Sequence, residues 1–199
     1  MADDEIYERY LARAIGEINE LSDDIARCDR APHTSHRPVV GSGHPLADIF
    51  LLKYAPAASE LAEGVAFYGR VGQAVLKSVQ RLGIDPLLLY GTNCVKCGDV
   101  TDEERRLACP VWLLRELHIV QPKLVVVMGS DALEVLNGLE FPLARLLKAD
   151  LGTVQKLTPT IDAVYVPPIE ASLDDAASKR QFWAAFRVIG EWYEALPPY

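Results

Sequence analysis

Several things are scarce in this 199-residue chain. Only 20 Lys and Arg stand against 28 Asp and Glu, a net charge of −8. That balance excludes a plain electrostatic nucleic-acid binder, whose affinity comes from Lys and Arg on phosphates. It leaves room only for a local basic groove on an acidic body. No apolar run reaches the about 18 residues that a membrane span needs, so no membrane role is expected. The first thirty residues lack a basic segment followed by an apolar one, so the sequence predicts no signal peptide and a cytoplasmic protein. Four cysteines are too few for a disulfide scaffold. In the cytosol such residues are metal ligands or buried thiols more often than disulfides. There is no internal repeat and no linker-like stretch. The expectation is one domain over 1–199, with residues 1–30 as an N-terminal helix packed on it.

Half of the residues are apolar, enough for an ordinary core, and they are patterned. Ile6, Tyr10, Leu11, Ala14, Ile15, Ile18, Leu21 and Ile25 recur at three- and four-residue steps, predicting a helix over 3–27. Short apolar runs at 47–52, 87–90, 123–128 and 163–166 read as strands, near-continuous as in a parallel sheet covered on both faces. Between them, periodic stretches at 72–82, 102–120 and 131–138 read as helices. Thr101 and Glu104 have the capping-box spacing, and a closing helix is expected over 178–195. Strands alternating with helices predict an α/β domain: a three-layer α/β/α sandwich with a mostly parallel four-stranded central sheet.

In such folds ligands bind beyond the carboxyl ends of the strands. That draws four loops to one cleft: 53–57, 91–94, 129–131 and 167–172. The first reads Lys53-Tyr54-Ala55-Pro56-Ala57 and is followed by Phe67-Tyr68-Gly69-Arg70-Val71-Gly72. The second reads Thr92-Asn93-Cys94-Val95-Lys96-Cys97, with Cys109 twelve residues later. The third is Met128-Gly129-Ser130-Asp131. In this order and at these separations the chain resembles the uracil-DNA glycosylase superfamily, its iron–sulfur families 4 and 5 in particular, from about Cys28 to Trp192.

The resemblance implies hydrolysis of the N-glycosidic bond of uracil or a related damaged base in DNA, after the base is flipped out of the stack. Phe67 would stack on the flipped ring, and Asn93, with its donor–acceptor amide, would read the pyrimidine edge. Ala55 and Pro56 would line the base pocket. Gly69, Arg70, Gly72 and Ser130 would approach the DNA backbone, partly through helix N-termini. Read without the resemblance, Phe67 is a core side chain and Asn93 a turn residue. Lys53, Arg70, Lys96, Arg37, Lys179 and Arg180 are the cations from which a phosphate track could be built.

The departures from the family pattern are as specific as the matches. Tyr54 stands where family 4 carries a water-activating glutamate, and Tyr, with an unperturbed pKa near about 10, is a poor base at neutral pH. The stretch Val166-Pro167-Pro168-Ile169-Glu170-Ala171-Ser172 lacks the superfamily's His. Glu170 and Asp131 are the carboxylates that could substitute, or else solvated or capping residues, so the candidate catalytic set is Asn93, Tyr54 and Glu170. An inactive relative that binds a base, a nucleotide or a protein partner through the same cleft is the alternative. The family's cluster ligands match Cys28, Cys97 and Cys109, but Ala31 occupies the fourth position. Cys94, three residues before Cys97, could replace it. A [4Fe–4S] cluster on Cys28, Cys94, Cys97 and Cys109, zinc with His33 or Cys94 as the added ligand, and buried thiols with no metal all remain open at this point.

Overall fold

The computed structural model describes residues 2–28, 38–98 and 109–196. The Thr101–Glu104 capping box, Ala31, His33, His36 and Arg37 lie outside the described residues.

The chain forms α1 (Ala2–Ala26), β1 (Ser42–Gly43), β2 (Ile49–Lys53), α2 (Ala58–Glu63), α3 (Arg70–Arg81), β3 (Leu89–Asn93), α4 (Pro110–Val120), β4 (Leu124–Met128) and α5 (Ser130–Asn137). Then follow β5 (Val154–Lys156), β6 (Asp162–Val166), α6 (Ala171–Asp174), α7 (Ala176–Phe186) and α8 (Val188–Glu194). They build one sheet in the order β1-β3-β2-β4-β6-β5. The four inner strands are parallel and are the four that the apolar runs predict. The sheet nevertheless has six strands, not four. The outer two, β1 and β5, run antiparallel to β3 and β6. They are two and three residues long and carry no apolar run, which is why periodicity misses them.

Side-chain alternation divides the sheet into two faces. Phe50, Leu52, Tyr90, Val125, Val127 and Ala163 pack with Leu21 and Ile25 of α1, Leu113 and Leu117 of α4 and Leu133 of α5. Ile49, Leu51, Val126, Met128, Val164 and Val166 pack with Val71, Val75 and Val79 of α3 and with Phe182, Phe186 and Ile189. This is the expected three-layer α/β/α arrangement. No helix among the described residues is long and apolar enough to cross a membrane.

Three boundaries differ from the sequence reading. Leu87 and Leu88 belong to a short 3₁₀ turn over Pro86–Leu88, capped by Asp85, which accepts from Leu87 N at 2.9 Å. The strand therefore starts at Leu89 and runs on through the polar Thr92 and Asn93. The closing helix begins at Ala176, because Asp175 accepts from Ser178 N at 2.6 Å, and it breaks after Phe186 into α7 and α8. In α1, only Ala14, Leu21 and Ile25 of the predicted apolar stripe are buried, while Ile6, Tyr10 and Ile15 are exposed.

Candidate active site

β2 and β3 end side by side, with Lys53 in register with Asn93. In a parallel pair the two side chains share a face, here the one covered by α3 and α7. The pairing runs on into the loops, Cys94 N donating to Lys53 O at 2.8 Å and Val95 N to Tyr54 O at 2.9 Å. Asn93 is fully buried, and neither Nδ2 nor Oδ1 has a hydrogen-bond partner. A buried amide left in that state costs about 1–3 kcal/mol for each unsatisfied group. Native structures seldom keep one without a purpose.

Beside it lies an ionic network that the sequence reading leaves out. The buried Lys53 ammonium contacts Glu60 Oε2 at 2.7 Å, Glu170 Oε1 at 3.2 Å and Ala55 O at 2.6 Å. Glu60, on α2 and equally buried, accepts from Ala57 N at 2.6 Å through Oε2 and from Phe67 N through Oε1. One carboxylate thus fixes both the 54–57 loop and the backbone of Phe67. Phe67 has φ +57°, a conformation that a bulky side chain adopts only under constraint. Its ring lies on Gly91, where a Cβ would come within 2.5 Å of Cδ2, and its carbonyl fills the space a Cβ on Gly72 would need. Lys53 Nζ is 5.9 Å from the ring centroid. Glu60 had two signals in the sequence: it sits at the third helical position after Ala57, and a lysine closing the run Ile49-Phe50-Leu51-Leu52 demands a buried anion.

The opposite face of β3 is locked as firmly. Lys96 and Glu116 form a buried pair at 2.7 Å, and Glu116 Oε1 accepts from Thr92 at 2.9 Å and Tyr90 at 3.2 Å. Lys96 is therefore a structural cation and not part of a phosphate track.

A cavity of about 260 Å³ opens where the chain leaves β2 towards one face and β4 towards the other, the switch point at which α/β sheets bind ligands. It is lined by Tyr54, Ala55 and Pro56 on one side and by Ser130, Asp131 and Glu170 on the other. Ala55, Pro56, Tyr54, Ser130 and Glu170 are thus brought together. Phe67 and Asn93 are not in that lining. They stand on the Lys53 side, joined to the cavity through the Lys53–Glu170 contact. Gly69 caps the start of α3, and Arg70, at its first position, pairs with Asp174 at 2.6 Å.

The four thiols differ in their surroundings. None of the four is in a disulfide. Among the described residues no group of three His, Cys, Asp or Glu is placed to hold a metal. Cys94 is fully buried in the core under α4, and burial pushes its thiol up to about 12. Without a metal this position favours the neutral thiol.

Two outcomes follow from Cys94. In the native protein at pH 8 it stays unreactive, and Cys94→Ala leaves the number of rapidly titrating thiols unchanged when a chromogenic disulfide reagent is added. With the folded thiol at about 12 and its ordinary value at 9.0, the unfolded chain deprotonates first. The Cys94 contribution to stability is complete below pH 9 and is lost progressively towards 12, which denaturation midpoints across that range will follow.

The chain belongs to the uracil DNA glycosylase superfamily, whose family profile matches residues 40–187. This bears out the resemblance carried by the four loops. It is similar to proteins named Type-4 uracil-DNA glycosylase. With that of Pyrobaculum aerophilum it is 29% identical over 119 residues, 57% of this chain and 61% of the relative. With that of Archaeoglobus fulgidus it is 27% identical over 187 residues, 86% and 93% of the two chains. With that of Thermotoga maritima it is 29% identical over 119 residues, 57% and 62%. The match to the Pyrobaculum and Thermotoga relatives spans about three fifths of their length.

Proposed function

We propose that this protein is a uracil-DNA glycosylase that hydrolyses the bond between a flipped uracil, or a related damaged base, and its deoxyribose. The observation that carries this reading is Asn93, whose amide is buried and unpartnered at both polar atoms. Oδ1 can accept from a pyrimidine N3–H while Nδ2 donates to the neighbouring carbonyl. In this orientation the pair matches the N3–H and carbonyl edge of uracil. Phe67, held by Glu60 and supported on Gly91, stacks on the ring. Tyr54, Ala55, Pro56 and Ser130 line the route by which the nucleotide enters.

The N1–C1′ bond breaks with its electron pair going to the base. C1′ becomes oxocarbenium-like, a water oxygen adds to it, and the water loses a proton. The leaving base is an anion, and a donor aimed at its carbonyl stabilises it more than the neutral base. Asn93 Nδ2 supplies that donor in a chain without the family's His. Glu170, half exposed, lining the cavity and held by Lys53, is the carboxylate available to take the water's proton. Tyr54 stands in the position of the family 4 glutamate and closes the pocket wall instead. No step runs through a metal cluster. The [4Fe–4S] reading rests on the Type-4 relatives and on Cys28, Cys97 and Cys109, and a brown colour in anaerobically purified protein is its test.

Free uracil should appear when stoichiometric enzyme meets a single-stranded oligonucleotide containing one uracil. Glu170→Gln should slow that release about 10²-fold or more, the usual worth of a positioned base, without altering the melting temperature by more than a few degrees. No release from either single- or double-stranded substrate, with binding retained, would make the chain a non-catalytic member of its superfamily.

A further inference from the structure

A second cavity, larger than the one at the strand ends, is a groove of about 670 Å³ between α3 on one side and α6 and α7 on the other. Arg70, Lys77 and Arg81 line it from α3, at positions seven and four apart that share a helix face. Lys179 and Arg180 line it from α7, and Trp183 forms part of its floor. Five of the chain's 20 Lys and Arg gather here on a protein of net charge −8, and no carboxylate lines the groove. Only Arg70 is already matched, by Asp174 on its rim. Arg81 lies 4.4 Å from the centroid of the Trp183 ring, which fixes a flat aromatic–guanidinium platform.

The groove and the strand-end cavity share no lining residue, but both are bordered by the same stretches of chain. Arg70 follows Phe67 by three residues. Ser172, in the groove wall, follows Glu170 by two, and Glu170 lines the pocket at the strand ends. From there α3 and α7 run side by side away from the carboxyl ends of the strands. Twelve residues of α3 make a helix about 18 Å long, room for several phosphates of a single strand. Cations on both walls above an aromatic floor are what a single strand with unstacked bases needs. A duplex would present only its phosphates to such a groove.

We propose that this groove is a track for the single-stranded DNA that flanks the flipped nucleotide. Lys77, Lys179 and Arg180 neutralise its phosphates, and Arg81, stacked on Trp183, offers a flat cationic surface to a base. The proposal rests on the glycosylase reading for its orientation but not for its test. Binding is read by fluorescence anisotropy with a labelled 25-residue oligothymidylate, which contains no uracil. In the full chain, Lys77→Glu/Arg180→Glu should weaken binding about tenfold or more at low salt. It should also reduce the slope of log Kd against log salt by about 1.4, at roughly 0.7 for each lost phosphate contact on a single strand. The ratio of kcat/KM for uracil release from a 25-residue strand to that from a trinucleotide should fall towards one. Lys77→Gln/Arg180→Gln, a milder change, should lie between the wild type and the reversal, and circular dichroism checks the fold of each.

The track is overturned if the wild type does not bind the oligothymidylate at low salt. Unchanged affinity and salt slope in the reversal variant, or equal binding of a uracil-free duplex, overturn it too. So does groove-dependent binding of an acidic peptide in place of the oligothymidylate. Groove-dependent binding without any uracil release would sink the glycosylase reading and leave the track in place.

Discussion

Asn93→Leu should abolish uracil release and, at the same time, raise the stability of the fold. The two effects have one cause. The buried amide has no protein partner at either polar atom, and replacing such a group by an apolar one of similar shape removes a penalty of about 1–3 kcal/mol for each unsatisfied atom. In a domain of this size each kcal/mol moves the midpoint by about 2–4 °C, so calorimetry should register a rise of several degrees. Loss of the donor that meets the leaving base should lower the single-turnover rate by about 10²–10³-fold. Asn93→Asp should be just as inactive, because a carboxylate repels the developing anion, but it should melt lower than the wild type. A fall in melting temperature for the leucine variant with activity retained would show that the amide serves the fold and not a substrate.

Glu60→Ala should produce the largest loss of stability. Breaking a buried pair from one side costs about 3–5 kcal/mol, and here it leaves the buried Lys53 with the half-exposed Glu170, at 3.2 Å, in place of its closer, fully buried partner. The Ala57 and Phe67 backbone donors lose their acceptor in the same step. The thermal midpoint should drop by about 10 °C or more. Lys53→Met/Glu60→Met removes both charges and should regain part of that loss in urea denaturation, with the remainder belonging to the two backbone N–H groups. Because Glu60 acts through Phe67, Glu60→Gln, which keeps an acceptor, should fold well yet bind the uracil strand less tightly. Its KM should rise more than its kcat falls. A double variant no more stable than Glu60→Ala would show that the ion pair is not what holds this corner.

The four parallel strands were legible because each is an apolar run buried on both faces, a pattern that survives without tertiary information. β1 and β5 were not, since a Ser-Gly pair and Val-Gln-Lys become strands only when a neighbouring edge supplies their partners. The reading of β3 stopped at Tyr90. Thr92 and Asn93 are buried against expectation, and each needed a specific reason: Glu116 receives Thr92, and Asn93 is left unpaired. The loop motifs drew Tyr54 and Glu170 to one place, and both line the same cavity. They could not show that Phe67 and Asn93 sit to one side of the cavity, nor that Lys53 bridges the two parts, because that depends on a long-range contact from α2. The groove between α3 and α7 was half visible. Lys179 and Arg180 were recognisable as cations, but Lys77 and Arg81 face them only once two distant helices are packed together.

The short antiparallel strands at either border of the sheet have a consequence beyond completing it. With only two residues in β1 and three in β5, and with strand direction reversed at both borders, an incoming chain finds few free backbone groups on which to align. Such blunted borders resist edge-to-edge pairing. The β-rich centre of the folded molecule thereby offers its neighbours little edge on which to pair.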